Sequence, residues 1–356
     1  MGRIYILMIL LATLLLPACS GKKQSGKEVP VVELKGTVVF EPEDYFHGFT
    51  CMVSGDTIME VSAHSDSMFT MLSISGDSLK IIDRFGSYGS GPDEMIDGKV
   101  AKTPDGGYVI LDVPSGTRIF SIPAGAEHDR SKWSHVSMDT LQMLGSQFVA
   151  LNDSVMLIAS APFKSEGSIF SIIDFKNGKY EPTGFWPDDG YDGPSTPKKM
   201  LYSSNATMQS RGDGRYFYSA LARRYAIIFT IDGTTVNIAE TLIDDPVNFK
   251  PQDNGMMPSV HTGGAPHIIR PVANASHIYM LHCRKAADGT VAEKFQDLRG
   301  GNEVEVFDWD GNLVRRYELD RLGYNIYVNQ GDKDLYLYTE NSESGAYEWI
   351  RYRMED

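Results

Sequence analysis

Asp105-Gly106-Gly107-Tyr108-Val109-Ile110-Leu111-Asp112-Val113 joins a tight turn to a strongly apolar strand. Gly and Asp supply the positive φ that such turns need, and the β-branched and aromatic run after them is a strand signal. The same pairing recurs five more times. Turns at Ser54-Gly55-Asp56, Asn152-Asp153, Asp213-Gly214, Asn274-Ala275-Ser276 and Gly331-Asp332-Lys333 precede TIMEVSA, SVMLIAS, RYFYSAL, HIYMLHC and DLYLYTE. Successive turns lie 46 to 62 residues apart, near or above the period of a propeller blade.

A second kind of turn joins two outer strands in LSISGDSLKIIDRFG, SIIDFKNGKYEPTGF, IFTIDGTTVNIAETL and VFDWDGNLVRRYEL. The last strand of each hairpin is the more polar, which suits an outer edge. Six units of roughly 54 residues fill the chain after its first segment. The last unit ends one strand short, and the alternating run Val29–Phe40 (VPVVELKGTVVF) can supply that strand. The expectation is an all-β, six-bladed β-propeller of four-stranded antiparallel blades, spanning 31–356 and closed by the N-terminal strand.

Residues 1–18 read as a signal peptide, with Arg3 before an apolar run from Ile4 to Leu16. Thirteen helical residues cover about 20 Å, short of the ~30 Å hydrocarbon core. Cys19 after that run resembles the acylated cysteine of bacterial lipoproteins. Residues 19–30 then form a lipidated Cys and a polar, Gly/Ser/Lys-rich tether. Ser20 after the cysteine implies, by the same resemblance, an outer-membrane location, and the periplasmic face is expected. The membrane, reached through this lipid, is the first expected partner.

The 356 residues carry a net charge of −14, which excludes a nucleic-acid partner. Three cysteines exclude a disulfide scaffold, and Cys51 and Cys283 read as two buried thiols. There is no P-loop, dinucleotide fingerprint, HExxH, CxxC or GxSxG, so no cofactor, resident metal or catalytic residue is assigned. Asp308-Trp309-Asp310-Gly311-Asn312 reads as a hairpin turn rather than a calcium loop, because its Gly falls at the fourth place.

Ile82–Met95 (IDRFGSYGSGPDEM) resembles the glycine-rich stretch after the first blade of TolB-like six-bladed propeller lipoproteins, departing from it at Asp93, where Gly is usual. Asn302–Asp320 is similar to that family's late-blade hairpin, and GYVILDVPSGTRIFSI to an NHL-type blade. The resemblance implies a six-bladed ring on a lipid anchor and names no activity.

Candidate binding residues are Arg84, Arg118, Arg223, Arg224 and Arg284, which fall near strand ends and can form an anion-attracting mouth. Tyr279 adds an aromatic platform and His282 a polar group at the end of its strand. Two insertions, Pro246–Pro266 and Lys285–Gly301, break the period; the second contains a candidate short helix, Val291–Leu298. Long loops on a rigid scaffold usually carry binding. Two functions stay open. One is a non-catalytic envelope module binding or scaffolding a peptide, glycan or protein. The other is a metal-assisted hydrolase or lyase at the channel mouth, with His64 and His282 as candidate ligands.

Overall fold

A computed structural model describes residues 29–40, 51–61, 67–75, 78–112, 118–138, 147–159, 168–191, 193, 195–203, 206–220, 224–245, 249–251, 258–260, 266–341 and 343–354. Five blades are read straight off the chain. Blade 1 comprises Cys51–Ser54, Thr57–Val61, Phe69–Ser75 and Ser78–Phe85; blade 2 comprises Gly98–Lys102, Tyr108–Asp112, Arg118–Ile122 and Ser134–Ser137. Blade 3 comprises Gln147–Ala150, Val155–Ala159, Ser171–Asp174 and Lys179–Pro182; blade 4 comprises Thr207–Ser210, Arg215–Ala220, Tyr225–Asp232 and Thr235–Asp244. Blade 5 comprises Ile268–Ala273, His277–Lys285, Gly300–Asp308 and Leu313–Gly323. Blade 6 takes only three strands from the C-terminal region: Asn325–Val328, Asp334–Glu340 and Tyr347–Arg353. All six turns read from the sequence join a first strand to a second.

The first strands of blades 1 to 6 neighbour one another in succession, which makes them the inner lining of the ring. Each second strand therefore has a blade on either side, and this explains its unbroken apolar run. In blade 2, Tyr108 and Ile110 pack with Met59 and Phe69 of blade 1, while Val109 and Leu111 pack with Met156 and Ile158 of blade 3. Alternate side chains of one strand point to opposite faces, so a strand covered on both faces must be apolar throughout. Six apolar clusters fill the six seams, including one joining blade 6 to blade 1 through Tyr336, Tyr338, Trp349, Ile58 and Leu72. The ring is closed, with each seam filled by the described residues of the two blades that flank it.

The N-terminal run closes it, but as two strands. β1 (Val31–Leu34) adds in parallel to Leu313–Gly323 at the outer edge of blade 5, making that sheet mixed. β2 (Thr37–Phe40) adds antiparallel to Tyr347–Arg353 as the fourth strand of blade 6. Gly36 lies between them, pressed onto blade 6. A Cβ there would fall 2.2 Å from Ile350 Cγ2 and 2.8 Å from the Tyr352 ring, so only Gly fits without displacement. Asp320 of blade 5 fastens the crossing, accepting the Gly36 amide at 3.3 Å and the Tyr352 hydroxyl at 2.9 Å.

Among the described residues helix is confined to one element, α1 (Ser195–Ser203), in the link from blade 3 to blade 4, plus two single 3₁₀ turns. The expected helix at Val291–Leu298 is not formed. Only the turn Phe295–Asp297 is helical there, because Val291 bridges to Lys285 and holds the start of the segment in a hairpin-like loop. Cys283 is a free, buried thiol that burial pushes up to about 12, as expected; the Cys51 side chain lies outside the described residues.

Candidate functional site

Chain direction sorts the connections onto two faces. Links from second to third strands, and from each blade to the next, fall at one end of the ring, here called the upper face. First-to-second and third-to-fourth turns fall at the lower face. Arg84 ends a fourth strand, Arg118 begins a third, Arg224 lies between a second and a third, and Arg284 lies near the end of a second. All four therefore stand at the upper face; Arg223 lies outside the described residues.

They do not form one mouth. Arg84 is exposed on blade 1. Arg118, on blade 2, is buried and holds the glycine-rich loop that joins blades 1 and 2. It donates to Gly91 O at 2.8 Å and Glu94 O at 2.5 Å and pairs with Asp112 at 2.8 Å. Asp112, fully buried, accepts the Ile96 and Asp97 amides at 3.3 and 3.2 Å. Tyr279 points to blade 6 instead, with its hydroxyl donating to Asp332 Oδ1 at 2.9 Å. Burial is the main reason its phenol is pushed up, with the Asp332 charge next.

The remaining three, Arg224, His282 and Arg284, converge where blades 4 and 5 meet. His282 shares a strand face with Ile278 and Met280, which pack on Phe217 of blade 4. His277, five positions earlier, falls on the opposite face and pairs with Asp332 at 2.9 Å. His282 Nδ1 lies 2.9 Å from Nε2 of His267, the residue just ahead of the first strand. His282 Nε2 lies 3.2 Å from Glu305, which also pairs with Arg316 at 3.2 Å. The Glu305 carboxylate beside Nε2 favours the proton there, which leaves Nδ1 to accept from His267 Nε2–H.

The arginines act on this pair from above. Arg224 pairs with Asp245 at 2.6 Å, and Arg284 pairs with Glu303, which Lys285 also approaches at 3.7 Å. Burial first, then the charges of Arg224, His282 and Arg284, hold His267 down at about 3. It is neutral at any physiological pH. Glu305 is held below its ordinary value, chiefly by the hydrogen bond from His282. Arg224, Arg284, Lys285 and Arg316 face Asp245, Glu303 and Glu305, which makes this corner dense in paired charge.

Both insertions begin or end here. Asp245 leads into the Pro246–Pro266 segment and His267 ends it, while Arg284 and Lys285 lead into the second, whose Arg299 amide returns to Lys285 O at 2.8 Å. Residues 249–251 and 258–260 pair as a small hairpin, which contacts α1. α1 itself caps blade 4. Tyr202 donates to Asp189 at 2.9 Å, Lys198 pairs with the same carboxylate at 2.7 Å, and the Tyr202 and Tyr225 rings meet at 5.7 Å. Arg224 adjoins Tyr225, so helix, hairpin and cluster share one corner of the upper face.

Among the described residues no group of three His, Cys, Asp or Glu is placed to hold a metal ion. His64 lies outside them, and the two described histidine rings at the corner are turned toward each other rather than to a common point. The Asp308 turn is a hairpin, its carboxylate accepting the Asp310 and Asn312 amides at 3.0 and 2.8 Å.

One solved structure shows the same fold at low identity: a crystal structure described as a “putative exported protein” from Bacteroides fragilis superposes with a TM-score of 0.57 at 10% identity, covering 91% of this chain and 95% of that one. Regucalcin, a calcium-binding protein from Agrobacterium tumefaciens, gives a TM-score of 0.46 at 12% identity over 92% of this chain and 98% of that one. No protein-family model and no curated protein sequence matches the chain.

Proposed function

We propose that this chain is a non-catalytic binding module of the cell envelope, anchored through an acylated Cys19 on the periplasmic face of the outer membrane. Its ligand is an acidic peptide or glycan held at the upper face where blades 4 and 5 meet. The observation that carries the reading is the convergence of Arg224, His267, His282 and Arg284 between two insertions. Their arrangement suits recognition of a carboxylate. The Arg284 guanidinium, which Glu303 engages through one nitrogen, keeps further N–H donors for a carboxylate, while the neutral His267 leaves its Nδ1 as an acceptor for a ligand hydroxyl or amide. The fold likeness to an exported protein agrees with an envelope location, and the signal-like first segment supports it.

Calorimetric titration with a hexaglutamate peptide and with trigalacturonate, maltotriose serving as the neutral control, tests the reading. At least one acidic probe is expected to bind at low salt, with affinity falling as salt rises, and Arg284→Ala should weaken it at least tenfold. No heat from either acidic probe, or binding indifferent to Arg284→Ala, sinks the proposal.

A further inference from the structure

The outer rim of the ring is not uniform. Nine large hydrophobic side chains are exposed among the described residues, and six of them lie on the outer strands of three consecutive blades. Val31, Val32 and Val314 belong to the edge of blade 5, Val38 to that of blade 6, and Ile81 and Ile82 to that of blade 1. β2 neighbours Ser78–Phe85, so the sector is continuous from blade 6 to blade 1. The described outer strands of blades 2 and 3, Ser134–Ser137 and Lys179–Pro182, expose no such side chain.

Both Val31 and Val32 are exposed, at 56% and 47%, as are Ile81 and Ile82, at 39% and 55%. Val31 and Val32 are consecutive on a regular strand and point to its opposite faces, while Ile82 is the extra residue of a β-bulge beside Ile81 and stands without a cross-strand partner. Soluble edges are normally blunted with charge. Something apolar therefore covers this sector, and the chain itself indicates what. β1 starts this rim, and only 11 residues, Ser20–Pro30, separate it from Cys19. A chain of that length and Gly/Ser/Lys composition spans about 17–20 Å on average. It contains Lys22, Lys23 and Lys27 against a single Glu28, a balance that favours an anionic lipid surface.

We infer that the outer rim of blades 5, 6 and 1 docks edge-on against the phospholipid bilayer that holds the anchor. The inference rests on the proposed acylation of Cys19. The tether keeps the rim at an effective concentration in the millimolar range, so a weak apolar contact becomes a persistent one. Docked this way, the ring axis runs parallel to the membrane, and the corner between blades 4 and 5 stays open to the periplasm.

The full chain, carrying Cys51→Ser and either Ile82→Cys or Lys179→Cys, is labelled with an environment-sensitive fluorophore. It is then placed in vesicles of phosphatidylethanolamine and phosphatidylglycerol whose acyl chains are brominated. Intact mass reports acylation separately. Quenching at position 82 is expected to exceed that at 179 at least threefold, and Cys19→Ala should abolish it. Equal quenching at the two positions in acylated protein overturns the docking alone. A mass without acyl chains overturns the anchor, and the docking with it.

Discussion

Two seams of the ring each bury an ionisable side chain on a second strand, and they treat it differently. Glu60 shares a strand face with Ile58, which packs in the seam between blades 6 and 1. It is 1% exposed, no described residue hydrogen-bonds its Oε1, and burial alone lifts its carboxyl to about 7. His282, in the seam between blades 4 and 5, is almost as buried but touches His267 and Glu305 and, through Glu305, Arg316. Burial is thus common to both, and the partners make the difference. Glu60, whose carboxyl only burial shifts, waits for a proton, whereas His282 stands between two polar neighbours that hold its ring in a defined orientation. The seams also differ in construction. Consecutive stretches of chain form the one between blades 4 and 5, while the other depends on β2 arriving from the far end of the sequence.

Deleting residues 30–42 attacks that second difference and carries the largest expected effect. It removes β1 and β2, and with them the burial of Leu34, Val39 and Phe40. At about 1.5–3 kcal/mol per fully buried side chain the three would give roughly 4.5–9 kcal/mol, and since Val39 and Phe40 are only partly buried the loss lies toward the lower end, comparable to the whole stability of many domains. Thermal unfolding followed by circular dichroism should show one cooperative transition at a much lower temperature, or no folded state. A two-step melt in which blades 2 to 5 survive would mean that the seams are independent.

Glu60→Gln separates the seams by pH. The native carboxyl holds its proton up to about 7, whereas the unfolded one releases it near 4.5. Its contribution is therefore most favourable below 4.5, declines as pH rises to about 7, and is constant above that. The span corresponds to about 3 kcal/mol. Glu60→Gln should stabilise the protein by about that much at pH 8 and scarcely at all at pH 4, read from urea midpoints. Equal effects at the two values would mean that Glu60 is not protonated by burial.

Much of this architecture was legible because it is local. A turn rich in Gly, Asp or Asn followed by an apolar strand carries its signal within ten residues, so six turns located six blades. The need for a closing strand followed from counting, and Val29–Phe40 was the right segment. Its division at Gly36 was hidden, since only the approach to Ile350 and Tyr352 across the fold forces the crossing. α1 was hidden as well. STPKKMLYS has no clean apolar stripe because its buried face includes Lys198 and Lys199, whose charge is answered in part by Asp189 from outside the helix. The site was half visible. Arg224, His282 and Arg284 stand out as polar residues at strand ends, but Arg118 looks identical in sequence and is committed to a loop. His267 is legible only once Ile269 is registered opposite His282, which brings the two rings onto one strand pair. Glu305 and Arg316 are ordinary outer-strand charges until blade 5 pairs them.

Glu305→Gln gives the smallest expected effect and the sharpest contrast, because its pH dependence has the opposite sign to that of Glu60→Gln. The Glu305 carboxyl is held below its ordinary value, first by the hydrogen bond from His282, so its contribution is present above the unfolded carboxylate pKa and is lost as pH falls through the folded one. The group is partly exposed, and solvent screening limits the effect to about 1 kcal/mol. Urea unfolding should show Glu305→Gln less stable than the parent by about that amount at pH 7, with the gap narrowing as pH falls. The substitution also turns a fixed acceptor into an amide, which frees the orientation of His282 and, through it, of His267. Loss of stability that persists undiminished at pH 3 would mean that the carboxylate charge is not what orders the histidine pair, and the contrast between the two seams would fail at its polar end.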